Sequence, residues 1–273
     1  MWPRPARLRS FASSAVSSSV VTAFVAAGIL AATNLLLFPV ETTPGTTCLE
    51  PASRGRCRPT VSARESPFIG ELLGGFRAPV ADLLWLEANE RAEVGDLPAM
   101  EELLHLVTAV DPRPIYFWLN AARITAYDVP AFRFAAPRGE PVLSRVARKR
   151  VEDDQARRAL DLLDEARRFH PACAALWIEG ANIQLNRLGD VAGAAESYRQ
   201  AAAQPDAPYF AARLHAELLR RLGRKAAALA WLARLHPTLP ARDEAAGADL
   251  VLARIRALER ELGVPAERAY HGL

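Results

Sequence analysis

The sequence predicts an all-α chain: an N-terminal transmembrane helix, then an α-solenoid of about four helical hairpins closed by a C-terminal capping helix. Three observations predict it. Core-type residues recur at fixed offsets from three turn glycines. Gly95 is followed by Met100, Leu104 and Val107, Gly189 by Ala194, Tyr198 and Ala201, and Gly223 by Ala228, Leu232 and Leu235. Prolines then close the segments, at Pro112, Pro171, Pro205 and Pro237. The chain is also rich in Ala, Leu and Arg and poor in β-branched runs beyond its N-terminus. Those residues lose little freedom in a helix.

Residues 1–15 read as a basic cytoplasmic N-terminus, with Arg4, Arg7 and Arg9 and no acid before Ser10. Residues 16–40 read as a transmembrane signal anchor, uncharged from Val20 to Phe38. A bilayer core takes about 20 helical residues. A cleaved signal peptide is the alternative, but its apolar region runs to about 7–15 residues. This run ends at Phe38-Pro39 rather than at a small-residue cleavage site. The flanking arginines place the N-terminus inside and the remainder across the membrane. Residues 41–66 form a flexible linker whose Pro, Gly, Thr and Ser cannot bury enough apolar surface to offset ordering entropy. Within it, Cys48 and Cys57 suit a disulfide in an oxidising compartment, with two unpaired thiols as the other reading. Thr46-Thr47 ahead of Cys48 lacks the apolar residue of a lipid-attachment site.

The globular part spans 67–263, with a tail at 264–273. Phe68, Ile69, Leu72 and Leu73 make a short apolar face that either caps the first hairpin or lies on the membrane surface. The first hairpin runs from Pro79 to Asp111, with Leu83, Leu84 and Leu86 packing one side and Ala88 supplying the close approach. The second begins with Tyr116, Trp118, Ala121 and Ala122 and is split by an insertion at 128–150. There Pro130, Pro137 and Pro141 predict a non-helical first part. Its second part carries Arg145, Arg148, Lys149 and Arg150, which form either a binding edge or a solvated rim. The next helix is expected from about Asp153, with Asp153-Asp154 capping its start. Trp177 takes the large core position of the third hairpin, and Cys173 is a small packing residue. The fourth hairpin covers Pro208 to Pro237. A last helix from Asp243 to Leu262, stopped by Gly263, supplies the cap that a solenoid needs.

No phosphate loop, GxGxxG, HExxH, CxxC or GxSxG is present. Those patterns carry phosphate, dinucleotide, metal, redox and acyl-transfer chemistry respectively. The five histidines are scattered, and His170 and His236 each precede a proline at a helix end, where a basic group favours the helix dipole. The expectation is therefore no catalytic residue, no metal and no cofactor. A net charge of +3 is too small to imply nucleic acid.

Ala159, Leu163, Ala166 and Pro171, repeated as Ala194, Tyr198, Ala201 and Pro205, resemble the tetratricopeptide repeat (TPR), with its period of about 34 residues. Met100 departs from the pattern, which has a small residue there. Leu73-Gly74-Gly75-Phe76-Arg77, followed by Ala81 to Leu86, resembles the opening of bacterial single-span, membrane-anchored TPR proteins. The resemblance implies a bacterial inner-membrane protein with a periplasmic repeat domain. It implies a scaffold or adaptor whose partners are protein subunits of a membrane complex, without a small-molecule substrate. A permanently integrated structural subunit and an enzyme accessory protein are the alternatives. In such repeats the ninth and thirteenth positions line a groove. Here these are Asn89, Arg123, Asn182 and Glu217, then Glu93, Tyr127, Asn186 and Arg221. The expected partner-binding groove is Asn89, Arg123, Tyr127, Asn182 and Asn186, since Asn both donates to and accepts from an extended peptide. The wet face of amphipathic helices is the competing reading.

Overall fold

The computed structural model describes residues 74–135, 143–240 and 242–272. The expected N-terminal segment, membrane span and linker, with Cys48, Cys57 and Phe68 to Leu73, lie outside the described residues. Among the described residues no helix is long and apolar enough to cross a membrane, and no strand occurs.

Helix α1 (Arg77–Val94) turns into α2 (Leu97–Val110). The second hairpin opens with α3 (Ile115–Arg123), which passes through a π turn (Ile124–Asp128) into α4 (Val129–Phe134). It returns along α5 (Arg145–Phe169). The third pairs α6 (Ala174–Ile183), also ending in a π turn (Gln184–Leu188), with α7 (Val191–Ala202). The fourth pairs α8 (Tyr209–Arg221) with α9 (Lys225–Leu235), and α10 (Ala248–Leu262) follows. The main contacts run between sequence neighbours: α1 on α2, α6 on α7, α7 on α8, α8 on α9, α9 on α10. That is the quasi-one-dimensional packing of a solenoid.

The turn glycines explain the repeated offsets. Gly95, Gly189 and Gly223 have φ of 80°, 69° and 76°, a left-handed conformation that a Cβ disfavours. After two of them an aspartate caps the next helix: Asp96 accepts from Ala99 N at 3.3 Å and Asp190 from Gly193 N at 2.8 Å. Each turn therefore fixes the phase of the helix behind it. Met100, Leu104 and Val107, Ala194, Tyr198 and Ala201, and Ala228 and Leu232 are all buried, while Leu235 is half-buried.

Several expectations need correction. On α1 the buried residues are Ala81 and Ala88, two turns apart. Leu83 and Leu86 lie on the opposite side and are 55% and 59% exposed; of the three leucines only Leu84 packs against the core, beside Ala81. Among the described residues of the expected insertion most are helical: α4 continues α3, and α5 begins at Arg145, where Ser144 accepts from Ala147 N at 3.2 Å. Pro130 is accommodated because its missing donor falls directly behind the widened turn. The preceding wide turn also relieves the crowding that a proline ring causes inside a helix. Asp153 and Asp154 consequently sit within α5, paired with Lys149 (2.5 Å) and Arg157 (2.9 Å) instead of capping it.

Leu176, not Trp177, fills the core of the third hairpin. Trp177 is half-buried and its ring carries the Arg167 guanidinium at 3.9 Å. A Cβ at Gly180 would meet that guanidinium at 2.8 Å, so the neighbouring glycine makes room for it. His170 is buried; its Nε2 lies 2.9 Å from the Pro112 carbonyl, which also accepts from Trp118 Nε1 at 2.9 Å. Its role is to tie two hairpin ends together. His236 faces Tyr270 Oη at 3.0 Å. Helix α10 starts at Ala248 rather than Asp243, because 243–246 form a tight turn closed by Ala246 N on the Asp243 carbonyl. Val251, Ile255 and Leu258 are buried as expected, but Leu262 is 39% exposed. Cys173 is buried and disulfide-bonded, so it is more than a packing residue.

Candidate functional site

Helices α3 and α6 lead their hairpins, and each ends in a π turn. Such turns add one residue per turn and are frequent at functional sites. Here they carry Tyr127 and Asp128 on one helix and Asn186 on the other. Together with Arg123, Glu179 and Asn182 these residues line an open cavity of about 590 Å³.

Its floor is made of two polar pairs. Arg123 donates from Nε (2.9 Å) and Nη2 (2.8 Å) to Glu179 Oε2, joining the second hairpin to the third. Glu179 is buried, whereas the Arg123 side chain is half-exposed. The hydrogen bond to Glu179 holds the Arg123 guanidinium above its ordinary pKa, against the opposing effect of burial. Beside it, Tyr198 Oη donates to Asn182 Oδ1 at 2.8 Å. Burial first, then the charge of Glu179, pushes the Tyr198 hydroxyl pKa up, so it stays a donor. With its oxygen engaged, Asn182 turns its amide nitrogen to other partners.

One wall is Tyr127, whose ring is covered by the Arg187 guanidinium at 4.4 Å. Arg187 also lies 4.0 Å from Glu152 of α5. Lys149 Nζ reaches the Arg187 carbonyl at 2.6 Å and Asp153 at 2.5 Å. Arg148 stacks over Phe134 at 5.4 Å. The basic edge and the groove are therefore adjoining surfaces that meet at Arg187. Arg148 and Lys149 are occupied within the fold, whereas Arg145 and Arg150 are exposed.

Of the expected groove residues, the structure brings together Arg123, Tyr127, Asn182 and Asn186. Asn89 is not among them: it is exposed on α1 and its Nδ2 donates to the Trp85 carbonyl at 2.9 Å. At the corresponding place in the fourth hairpin, Glu217 is taken by Arg220 at 2.7 Å and Arg254 at 3.6 Å. Sequence reasoning missed Glu179 and Asp128. Glu179 stands three residues before Asn182, hence on the same helix face, which could have revealed it. Asp128 was hidden by its place in the expected insertion. Among the described residues no cluster of three or more His, Cys, Asp or Glu could hold a metal ion.

No protein-family model matches the chain, and no curated protein does. Among solved structures, the chain is similar to a thermophilic TPR protein of Thermus thermophilus. The two are 23% identical, the match covers 65% of this chain and 80% of that one, and the TM-score is 0.38. The hairpin architecture itself rests on the packing described above.

Proposed function

We propose that the chain is a TPR-like binding scaffold whose groove between α3 and α6 holds an extended segment of a partner protein. The observation that carries this is the cavity lined by Arg123, Tyr127, Asp128, Glu179, Asn182 and Asn186. Its buried polar groups satisfy one another, while amides remain at its rim for a peptide backbone. Binding, not catalysis, is the function. The uncharged stretch at 16–40 supports a single-span anchor in a bacterial inner membrane, and the disulfide at Cys173 supports an oxidising, periplasmic setting for the repeats. The partner would then be a subunit of a membrane complex.

A photo-crosslinking residue placed at Asn186 in the full-length, membrane-borne protein tests the groove. A discrete adduct with one membrane-associated protein is expected, and it should be absent when the crosslinker sits at Arg150. Adducts from Arg150 alone would move the working surface to the basic edge. Protease added to intact spheroplasts should digest the repeats; full protection would reverse the topology.

A permanently integrated subunit is favoured by a separate observation. Leu83, Leu86 and Val94 all stand exposed on α1, a row of apolar side chains on one outer face. Aggregation of the purified chain, cured by co-expression with its crosslinked partner, would select that reading over a transient adaptor.

A further inference from the structure

We infer that the groove selects a basic residue, Lys or Arg, within the extended segment it holds. The inference rests on the groove reading above and deepens it. Four charged side chains stand in or beside the cavity, and three have their charge answered. Arg123 and Glu179 neutralise each other at 2.8 Å. Arg187 is stacked on Tyr127 and faces Glu152 at 4.0 Å. Asp128 is the exception. It stands at the N-terminus of α4, where an aspartate ordinarily caps the helix, yet its side chain makes no capping hydrogen bond. Nor does it form an ion pair among the described residues.

The reason lies in the wide turn. Asp128 itself has helical φ and ψ of −83° and −43°, because α3 runs through the π turn into α4 without a break. There are no free helix-end amides for it to cap. Its carboxylate is exposed at the cavity rim instead. Asn186 shares that rim, exposed and without a hydrogen-bonding partner for its side chain among the described residues. Asn182 adds an amide nitrogen, since only its oxygen is engaged. A carboxylate beside two amides complements a peptide that offers backbone groups to the amides and a cation to the acid. An acidic side chain placed there would face Asp128 directly and meet repulsion.

The test uses the full chain in detergent micelles and fluorescent nine-residue peptides, acetylated and amidated, of one Ala/Ser background with Lys, Arg, Gln or Glu at the centre. Lys- and Arg-centred peptides should bind about fivefold more tightly than the Gln-centred one, as a half-exposed ion pair allows. That preference should shrink in high salt. Asp128→Asn should erase the preference, so that Lys-, Arg- and Gln-centred peptides bind alike, whereas Asn186→Ala should weaken all four. Equal binding of Lys- and Gln-centred peptides, or a preference for Glu, overturns the basic selectivity and leaves the groove standing. Tighter binding of an unacetylated peptide regardless of its centre also overturns it, in favour of a terminal ammonium. Failure of every peptide to bind overturns the groove reading as well.

Discussion

Arg123 and Glu179, 56 residues apart, form a two-pronged contact in which the guanidinium nitrogens Nε and Nη2 meet the single oxygen Oε2. The carboxylate is buried and the arginine half-exposed, so the two partners are unequal in what their loss does. Arg123→Ala leaves a buried carboxylate without its counter-ion and should destabilise the fold by about 1–3 kcal/mol. Arg123→Lys keeps the charge but loses the fork, and should fall between wild type and Ala. Thermal unfolding of the three proteins checks the order; equal stability of wild type and Ala would remove this contact from the fold's support.

The two tryptophans of the middle hairpins should respond differently. Trp118 is 1% exposed, stacks on Phe169 at 5.7 Å and donates to Pro112. Trp118→Ala should cost about 3–5 kcal/mol. Trp177 sits at the rim under Arg167, and its replacement by Ala should cost about 1–2 kcal/mol, the range of a partly desolvated cation–π contact plus some burial. Denaturant midpoints of the two variants measure this. A larger loss at Trp177 than at Trp118 would contradict the packing.

His215 makes stability pH-dependent. Burial holds its imidazole below the ordinary histidine pKa, with Arg199 acting in the same direction, while the bond to the Ala195 carbonyl (2.7 Å) and the charge of Glu196 oppose it. The unfolded chain therefore takes up the proton first, below about pH 6.5. Stability from this group is present above that pH and is lost as pH falls toward the folded value. His215→Asn retains a donor for Ala195 but does not titrate. Its melting temperature should fall less steeply than wild type between about pH 7 and pH 5, and parallel curves would exclude His215 as the source.

Peptide mapping of the unreduced full-length protein should find the Cys173 peptide in disulfide linkage. A Cys173 thiol that alkylates freely without reductant would contradict the linkage. Cys173→Ser should lower the melting temperature under non-reducing conditions and leave it unchanged relative to wild type in reductant.

The second helices of the first, third and fourth hairpins were legible in the sequence because their phase is set locally, by a left-handed glycine and, in two cases, a capping aspartate. Leading helices were harder. On α1, the alanines at 81 and 88 are the buried residues and Leu84 packs beside them, whereas Leu83 and Leu86, which hydrophobicity also singles out, are exposed. At Leu176 and Trp177, size suggested the tryptophan, but helix phase places the smaller neighbour inside. Four of five groove residues could be found by counting along the repeat, since Arg123, Tyr127, Asn182 and Asn186 share one face irrespective of the partner. Asn89 failed because the same count on α1 leads to a side chain that bonds its own helix. The π turns left no periodic signal, and the proline at 130 suggested a loop where a widened helix was the actual solution.

Those widened turns separate two design variables. In α3 and α6 the turn that holds one surplus residue carries Tyr127, Asp128 and Asn186 of the groove, and each residue of an ordinary helix advances the chain by about 100°. Deleting the surplus residue between Ile124 and Asp128 would restore an ordinary helical turn, leaving Trp118, Ala121 and Val129 seated while re-aiming the side chains that the widened turn carries, Tyr127 and Asp128. The groove rim can thus be re-aimed by a change in length that no single substitution imitates, and variation in length at this point would alter what is bound before it altered whether the chain folds.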